Sequence, residues 1–232
     1  MSPVIDCTTE GGLAHGIEAA AAAVQAGELV VLPTDTVYGL GVDAFSPDAV
    51  TTVLLAKGRG REMPPPVLVQ SHRTVDGLAT NIPAYARALI EAFWPGPLTV
   101  VLQSQSSLMW DLGETNGTVA LRMPEDDVAL RLLSEVGPMA VTSANISGQP
   151  PAKTVEDAEA QLRSAVSIYL DAGPRTGSLA STILDCTGEA PIILRAGAVS
   201  ADQIQEILGD IELQSQTGVD SPSSPTSEHP IE

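Results

Sequence analysis

The chain has 232 residues, 44% hydrophobic, 17% charged and only 3% aromatic, with eleven basic against twenty-nine acidic residues and a formal charge of −18. Its apolar fraction excludes a wholly disordered chain, and no apolar run reaches the ~18–20 residues that span a bilayer. A chain this acidic repels phosphate polyanions over most of its surface, which disfavours sequence-independent nucleic-acid binding.

In chain order, an Ala-rich stretch predicts a helix over 12–26 with Gly27 as its stop. A strand over 28–32 ends at Pro33, and the run 34–44 reads as a loop. Ser46 and Pro47 predict the N-cap and first turn of a helix to about Ala56. A short strand near 67–70 and helices near 73–79 and 83–92 come next, then strands over 98–103 and 118–123. A helix over 125–135, a buried strand over 139–142 and a helix over 154–163 follow. Strands over 166–170, 181–185 and 191–195 precede a last helix over 201–208. Interleaving of this kind predicts one α/β domain around a mixed sheet, spanning about residues 1–210, with strand order left open. Residues 211–232 are polar, Pro/Ser-rich and free of Lys and Arg, so they are expected to form a disordered acidic tail.

Several familiar sites fail on their residues. Gly148–Thr154 lacks the glycine before Lys153 that a phosphate-binding P-loop needs, and Pro150 and Pro151 have no N–H to donate. No Gly-x-Gly-x-x-Gly follows a strand, His15, His72 and His229 are far apart, and Ser143 and Ser147 sit in no Gly-x-Ser-x-Gly elbow. Cys7 and Cys186 are too few for a disulfide framework and read as small core residues. The segment Met1–Asp6 has neither the basic flank nor the apolar core of an export signal, so a soluble, cytoplasmic protein without a membrane segment is expected.

What remains is a set of hydroxyls and cations near predicted strand ends. Thr34, Asp35 and Thr36 follow a buried strand, where they serve equally as backbone caps or as part of a small-molecule site. Lys57, Arg59 and Arg61 cluster at a predicted helix C-terminus, complementing its dipole or holding an oligophosphate. Thr118 and Arg122 share a strand face, Thr142, Ser143 and Asn145 follow a buried strand, Ser181 opens another and Arg195 ends the last. Together they suit chemistry driven by positioning and charge stabilisation, as in nucleotidyl transfer.

Seven segments resemble, in order, motifs of the Sua5/YrdC/YciO family: Pro33–Gly41, Ala56–Arg59, Trp94–Thr99, Val119–Pro124, Thr142–Gly148, Ser181–Ile183 and Leu194–Gly197. The resemblance covers about residues 12–208 and is closest to the short, single-domain bacterial form. It implies an open twisted α/β sheet around a positively charged cavity. The implied reaction makes threonylcarbamoyl-AMP, diphosphate and water from L-threonine, bicarbonate or CO2, and ATP with Mg2+, without a tightly bound protein-ligated metal. The product would pass to a threonylcarbamoyl transferase complex for N6-threonylcarbamoyladenosine in tRNA, with tRNA itself contacted weakly or indirectly. By motif position, Thr36, Arg122, Thr142 and Ser181 would surround threonine, and Arg59, Thr118, Ser143, Asn145 and Arg195 would contact ATP. Lys57 and Arg59 would stabilise phosphate charge as catalytic groups. Where many relatives carry an Asn and then a His after the Lys-x-Arg motif, this chain has Met63 and Leu68. The competing expectations are a non-catalytic tRNA- or double-stranded-RNA-binding module and a related carbamoyl-adenylate-forming enzyme.

Overall fold

The computed structural model describes residues 2–177 and 179–215. The chain runs β1 (Val4–Asp6), α1 (Glu10–Gln25), β2 (Val30–Leu32), β3 (Gly39–Asp43), α2 (Pro47–Lys57), β4 (Val67–Leu68), α3 (Val75–Leu78), β5 (Ala79–Thr80), α4 (Ala84–Phe93) and β6 (Leu98–Ser104). It continues β7 (Thr118–Arg122), α5 (Asp127–Val136), β8 (Met139–Ser143), α6 (Val155–Leu162), β9 (Ile168–Asp171), β10 (Thr182–Asp185), β11 (Ile192–Arg195), α7 (Ala201–Leu208) and β12 (Gln214–Ser215). Local chemistry sets many of these boundaries. Ser46 accepts the Ala49 N–H ahead of Pro47 at the start of α2, and Gly58, at φ +61°, ends that helix in the left-handed region. Thr154 with Asp157, and Ser200 with Gln203, form reciprocal caps that open α6 and α7.

All the strands join one mixed sheet in the order β1-β9-β2-β3-β8-β4-β7-β6-β10-β11-β12, with β5 attached to β6. The helices make two apolar layers. On one face, Ala20, Ala23 and Val24 of α1 and Val128, Leu132 and Leu133 of α5 cluster with Val30, Leu32, Leu68 and Met139. The other face packs α2, α4, α6 and α7 against Leu40, Val67, Val100, Leu121 and Leu184. The pair α1 and α5 covers only the β1-to-β4 half of its face. Beyond it, outward positions of β6, β7 and β10 such as Val101, Ala120 and Ile183 are half-buried, so part of the sheet face stays accessible. No helix among the described residues is long and apolar enough to cross a membrane.

The α/β architecture follows the sequence expectation, with one correction of consequence. The run 34–44 is not all loop: Gly39–Asp43 forms β3, pairing antiparallel with both β2 and β8. Gly39 and Gly41 suppress the strand signal, yet sheet packing requires them. A Cβ on Gly39 would lie 2.6 Å from Val141 Cγ1, and one on Gly41 2.9 Å from Met139 Cε. Besides β3, three further strands escaped the sequence reading, β1, β5 and β12, none longer than three residues. Of the expected tail, Gln214–Ser215 pair in parallel with β11, and 216–232 lie outside the described residues.

Candidate active site

The site starts at the turn between β2 and β3. Thr34 Oγ1 donates to the Val37 carbonyl at 2.6 Å and accepts from the Thr36 and Val37 N–H groups. A hydroxyl has one proton, so in its 3.1 Å contact with Thr36 the Thr36 hydroxyl donates. Arg122, at the end of β7 and only 7% exposed, meets this turn. Its Nε donates to the Gly96 carbonyl (3.0 Å), its Nη1 to Thr36 Oγ1 (3.2 Å) and its Nη2 to Asp35 Oδ1 (2.6 Å). Burial lowers the Arg122 pKa, and the Asp35 carboxylate opposes that shift. Asp35 Oδ1 also accepts the Glu125 N–H at 3.0 Å, whereas Oδ2 is buried with no partner among the described residues.

Two more guanidinium groups approach from other strands. Gly58 turns the chain out of α2 and frees Arg59, whose Nη1 donates to Thr142 Oγ1 at 3.4 Å. Arg195 ends β11 and donates Nη2 to the Ser181 carbonyl (2.8 Å) and hydroxyl (3.0 Å), while the Ser181 hydroxyl also meets Thr99 Oγ1 at 2.9 Å. Burial lowers the Arg195 pKa, and the charges of Arg122 and Arg59 lower it further, so the three cations act on one another.

These groups border one cavity of about 260 Å³. Its wall takes residues from β3, β8, β4, β7, β6, β10 and β11, which are consecutive in the sheet. Laid flat, seven strands would spread over roughly 29 Å. The twist and curl of the sheet gather them around a small space instead. Among the described residues, the lining carries three arginines and a group of threonine and serine hydroxyls, with no carboxylate and no imidazole.

Seven of the ten sequence-derived site residues line this cavity: Thr36, Arg59, Arg122, Thr142, Ser143, Ser181 and Arg195. Three do not. Lys57 is fully buried, and its Nζ donates to the Ser143 carbonyl, to Asn145 Oδ1 (2.9 Å) and to Ser143 Oγ (3.4 Å). The expectation that its ammonium faces phosphate is therefore revised: it fastens α2 to the 143–145 segment behind the cavity wall. Burial, then Arg59, pushes its pKa down to about 7. Asn145 completes that knot, its amide donating to the Ile146 and Gln149 carbonyls. Thr118 lies at the opposite end of β7 from Arg122, on the same face, and donates to the Thr115 carbonyl at 2.8 Å. Arg61 leaves the basic cluster to pair with Asp111 at the surface. Met63 is exposed, while Leu68 is buried in β4 and lines the cavity.

The sequence reading underused Thr34, Asp35 and Thr99, although all three lie inside motif segments. It missed Arg175 altogether, which no motif marks. Arg175 pairs with Asp126 at 2.7 Å, donates to the Ala172 carbonyl at 2.6 Å and stands 5.6 Å over the Tyr38 ring. It thereby fastens the 172–177 segment, which leads to Ser181, against the Thr34 turn. Gly177 completes that contact, because a Cβ there would lie 2.8 Å from the Thr36 carbonyl oxygen.

Fold and cleft together define an α/β domain whose curled sheet face presents guanidinium and hydroxyl groups of the kind that suit small anionic ligands. The profile of Sua5, YciO and YrdC proteins, described as "Telomere recombination", matches residues 22–197. The chain belongs to this family. A Mycobacterium tuberculosis protein provisionally named threonylcarbamoyl-AMP synthase is 54% identical over 209 residues, which cover 90% of this chain and 96% of that one. The Bacillus subtilis threonylcarbamoyl-AMP synthase is 36% identical over 218 residues, or 93% of this chain and 61% of that longer one. Among solved structures, Pyrococcus abyssi Sua5 complexed with L-threonine superposes with a TM-score of 0.85 at 33% identity, covering 92% of this chain and 63% of that chain.

Proposed function

We propose that the domain is a threonylcarbamoyl-AMP synthase that joins L-threonine, CO2 and ATP and releases diphosphate, with one water released as well when the CO2 comes from dehydration of bicarbonate. The observation that carries this reading is the meeting of Arg59, Arg122 and Arg195 with the Thr36, Thr142 and Ser181 hydroxyls in one cavity, with no carboxylate among its described lining residues. Two steps are required. The neutral threonine amine attacks the carbon of CO2, forming a C–N bond and losing a proton, and a carbamate oxygen then attacks the α-phosphorus as diphosphate leaves. Both steps gather negative charge, and preorganised guanidinium groups stabilise it best where water is scarce.

Arg122 has one N–H left on each terminal nitrogen after its three protein contacts, and these would take the threonine carboxylate. The Thr36 hydroxyl proton is committed to Thr34, and Ser181 is engaged by Thr99 and Arg195. Thr142 accepts only the long Arg59 contact and keeps its own proton, so it is the hydroxyl best placed to select the substrate's hydroxyl. Arg59 and Arg195 would receive the phosphates. A nucleotide is longer than the cavity, and it would extend over the accessible sheet face that carries Thr118. Lys57 and Asn145 would act indirectly, by fixing the Ser143 segment. No cluster of three metal-ligating side chains occurs among the described residues, so the donor set is not one that holds magnesium by itself. Mg2+ would enter as a companion of ATP. The product would be consumed by a threonylcarbamoyl transferase acting on tRNA, in a cytoplasmic setting.

Incubation with ATP, labelled bicarbonate and L-threonine, followed by mass analysis, tests the reading. The expected result is a labelled threonylcarbamoyl adenylate whose formation depends on threonine and matches diphosphate release. Tight RNA binding without diphosphate release would replace this reading with an RNA-binding one.

A further inference from the structure

The three guanidinium groups of the cavity are not equally fixed. Arg122 and Arg195 each make three hydrogen bonds to the protein. Arg59 makes one, at 3.4 Å to Thr142, and its Nε is buried with no partner among the described residues. A long side chain with so little hold of its own depends on where its backbone starts it. Upstream, the Arg59 N–H closes α2 on the Leu54 carbonyl at 2.9 Å. Downstream, residues 60–63 are all exposed, and Pro64, Pro65 and Pro66 have no N–H to donate.

Among the described residues, the hydrogen bonds that tie 60–65 to another element all run to the turn Asp111–Glu114, in the connection between β6 and β7. The Glu114 N–H donates to the Arg61 carbonyl at 2.8 Å and Arg61 Nη2 to Asp111 Oδ1 at 2.7 Å, while the same Oδ1 accepts the Gly113 N–H at 3.1 Å. Gly113 sits at φ +109°, and a Cβ there would lie 2.6 Å from the Arg61 carbonyl oxygen, so glycine is what lets the two segments touch. The turn is itself anchored, since Leu112 is buried in the core and Trp110 stacks on Phe45 with ring centroids 5.4 Å apart. We propose that Asp111 and Gly113 are positioning residues for Arg59: their turn fixes the far side of the Arg59 loop and so aims its guanidinium at the polyphosphate. This inference rests on the proposed synthase reading and adds to it two residues outside the cavity that no motif marks. The same connection ends at Thr118, whose hydroxyl donates to the Thr115 carbonyl, so one loop supports both places proposed for the nucleotide.

The test uses the full chain and two readouts, calorimetric binding of inorganic diphosphate and steady-state KM values for ATP and threonine. In Asp111→Ala, the diphosphate Kd and the ATP KM should each rise about tenfold while the threonine KM stays within about twofold, because small displacements of a charge-stabilising group are expensive. Gly113→Ala should do the same, and Asp111→Asn, which keeps an acceptor oxygen, should recover most of the loss. The sign separates position from charge. Removing Asp111 makes the neighbourhood more positive, so a purely electrostatic role gives tighter diphosphate binding, which overturns the proposal. A lower melting temperature with unchanged Kd and KM values, the mark of a structural role, overturns it too; the half-exposed Arg61–Asp111 pair should contribute little to stability. In an Arg59→Ala background, Asp111→Ala should weaken diphosphate binding no further, and an equal loss there would show that Asp111 does not act through Arg59. Wild-type protein that binds no diphosphate overturns the positioning outright. Wild-type protein that binds diphosphate yet forms no adenylate removes the synthase reading, while the effect of Asp111→Ala on diphosphate still decides the positioning.

Discussion

Lys57 shows how a residue can serve an anion site without facing the anion. A buried ammonium whose acceptors are neutral oxygens is stabilised only by hydrogen bonds, and Arg59 stands nearby with like charge. Lys57→Met should lower turnover by about 100-fold, because the Ser143 segment loses its tether and small displacements at a reacting centre are expensive. Single-turnover measurements check this, and near-normal turnover would dismiss the tether. The same residue makes a pH prediction. With its pKa pushed down to about 7 from 10.5, Lys57 is deprotonated in the folded chain but protonated in the unfolded chain between those values. The unfolded state binds the extra proton there, so the Lys57 contribution to stability rises with pH through that window. The unfolding free energy of wild type minus that of Lys57→Met should thus increase from about pH 6 to about pH 9. A flat or falling difference in denaturant titrations contradicts the assigned burial.

At this scale the sequence was legible where motif residues end strands, since Arg122, Thr142 and Ser181 line the cavity as motif position implied. Lys57 was not, because side-chain direction depends on which wall the 143–145 segment builds behind it. Asp35 sat in plain view inside a motif, but its partner lies on β7 and only the folded turn brings them together.

Among elements, β3 carries the clearest lesson. Two glycines in five residues erase the alternation by which a strand is recognised, yet β3 forms the link between β2 and β8. Periodicity reports burial of side chains, and β3 reports it on one face alone, where Leu40 and Val42 are buried, because the neighbours on the other need backbone contact at Gly39 and Gly41. Gly39→Val should destabilise the protein by about 1–3 kcal/mol, through overpacking against Val141. A chemical denaturation midpoint equal to that of the wild type would count against this packing. The junction at Gly197 is tighter still: a Cβ would fall 2.4 Å from the Ala180 carbonyl oxygen and 2.6 Å from Thr182 N. Gly197→Ala should therefore shift Ser181 and raise the threonine KM by more than its loss of stability explains. The 172–177 segment is held by Arg175 together with the Tyr38 hydroxyl, which accepts the Ala172 N–H and donates to the Gly173 carbonyl. Arg175→Ala leaves the largely buried Asp126 carboxylate without its ion pair and should cost roughly 3–5 kcal/mol, read from urea unfolding.

Over the whole molecule, charge separates the surface from the site. A chain of formal charge −18 concentrates uncompensated cations in a cavity, so attraction is local and acts on ligands small enough to enter. In filter binding at about 0.15 M salt, tRNA should show no saturable retention at concentrations where non-specific binders with Kd values of about 10⁻⁶ M are retained. Composition already pointed this way, because net charge requires no knowledge of fold. Strand order did not, since it depends on which of many pairings closes the curl around the cavity.

The two rims of the sheet have an effect of their own. Among the described residues, the last strand on one side is β1, three residues long, and on the other β12, two residues long. A second molecule that tried to extend the ladder would find only a few backbone groups to zip onto at either rim, too few to hold a stranger in register. So broad a β layer can remain dispersed at high concentration without a helix laid along its borders.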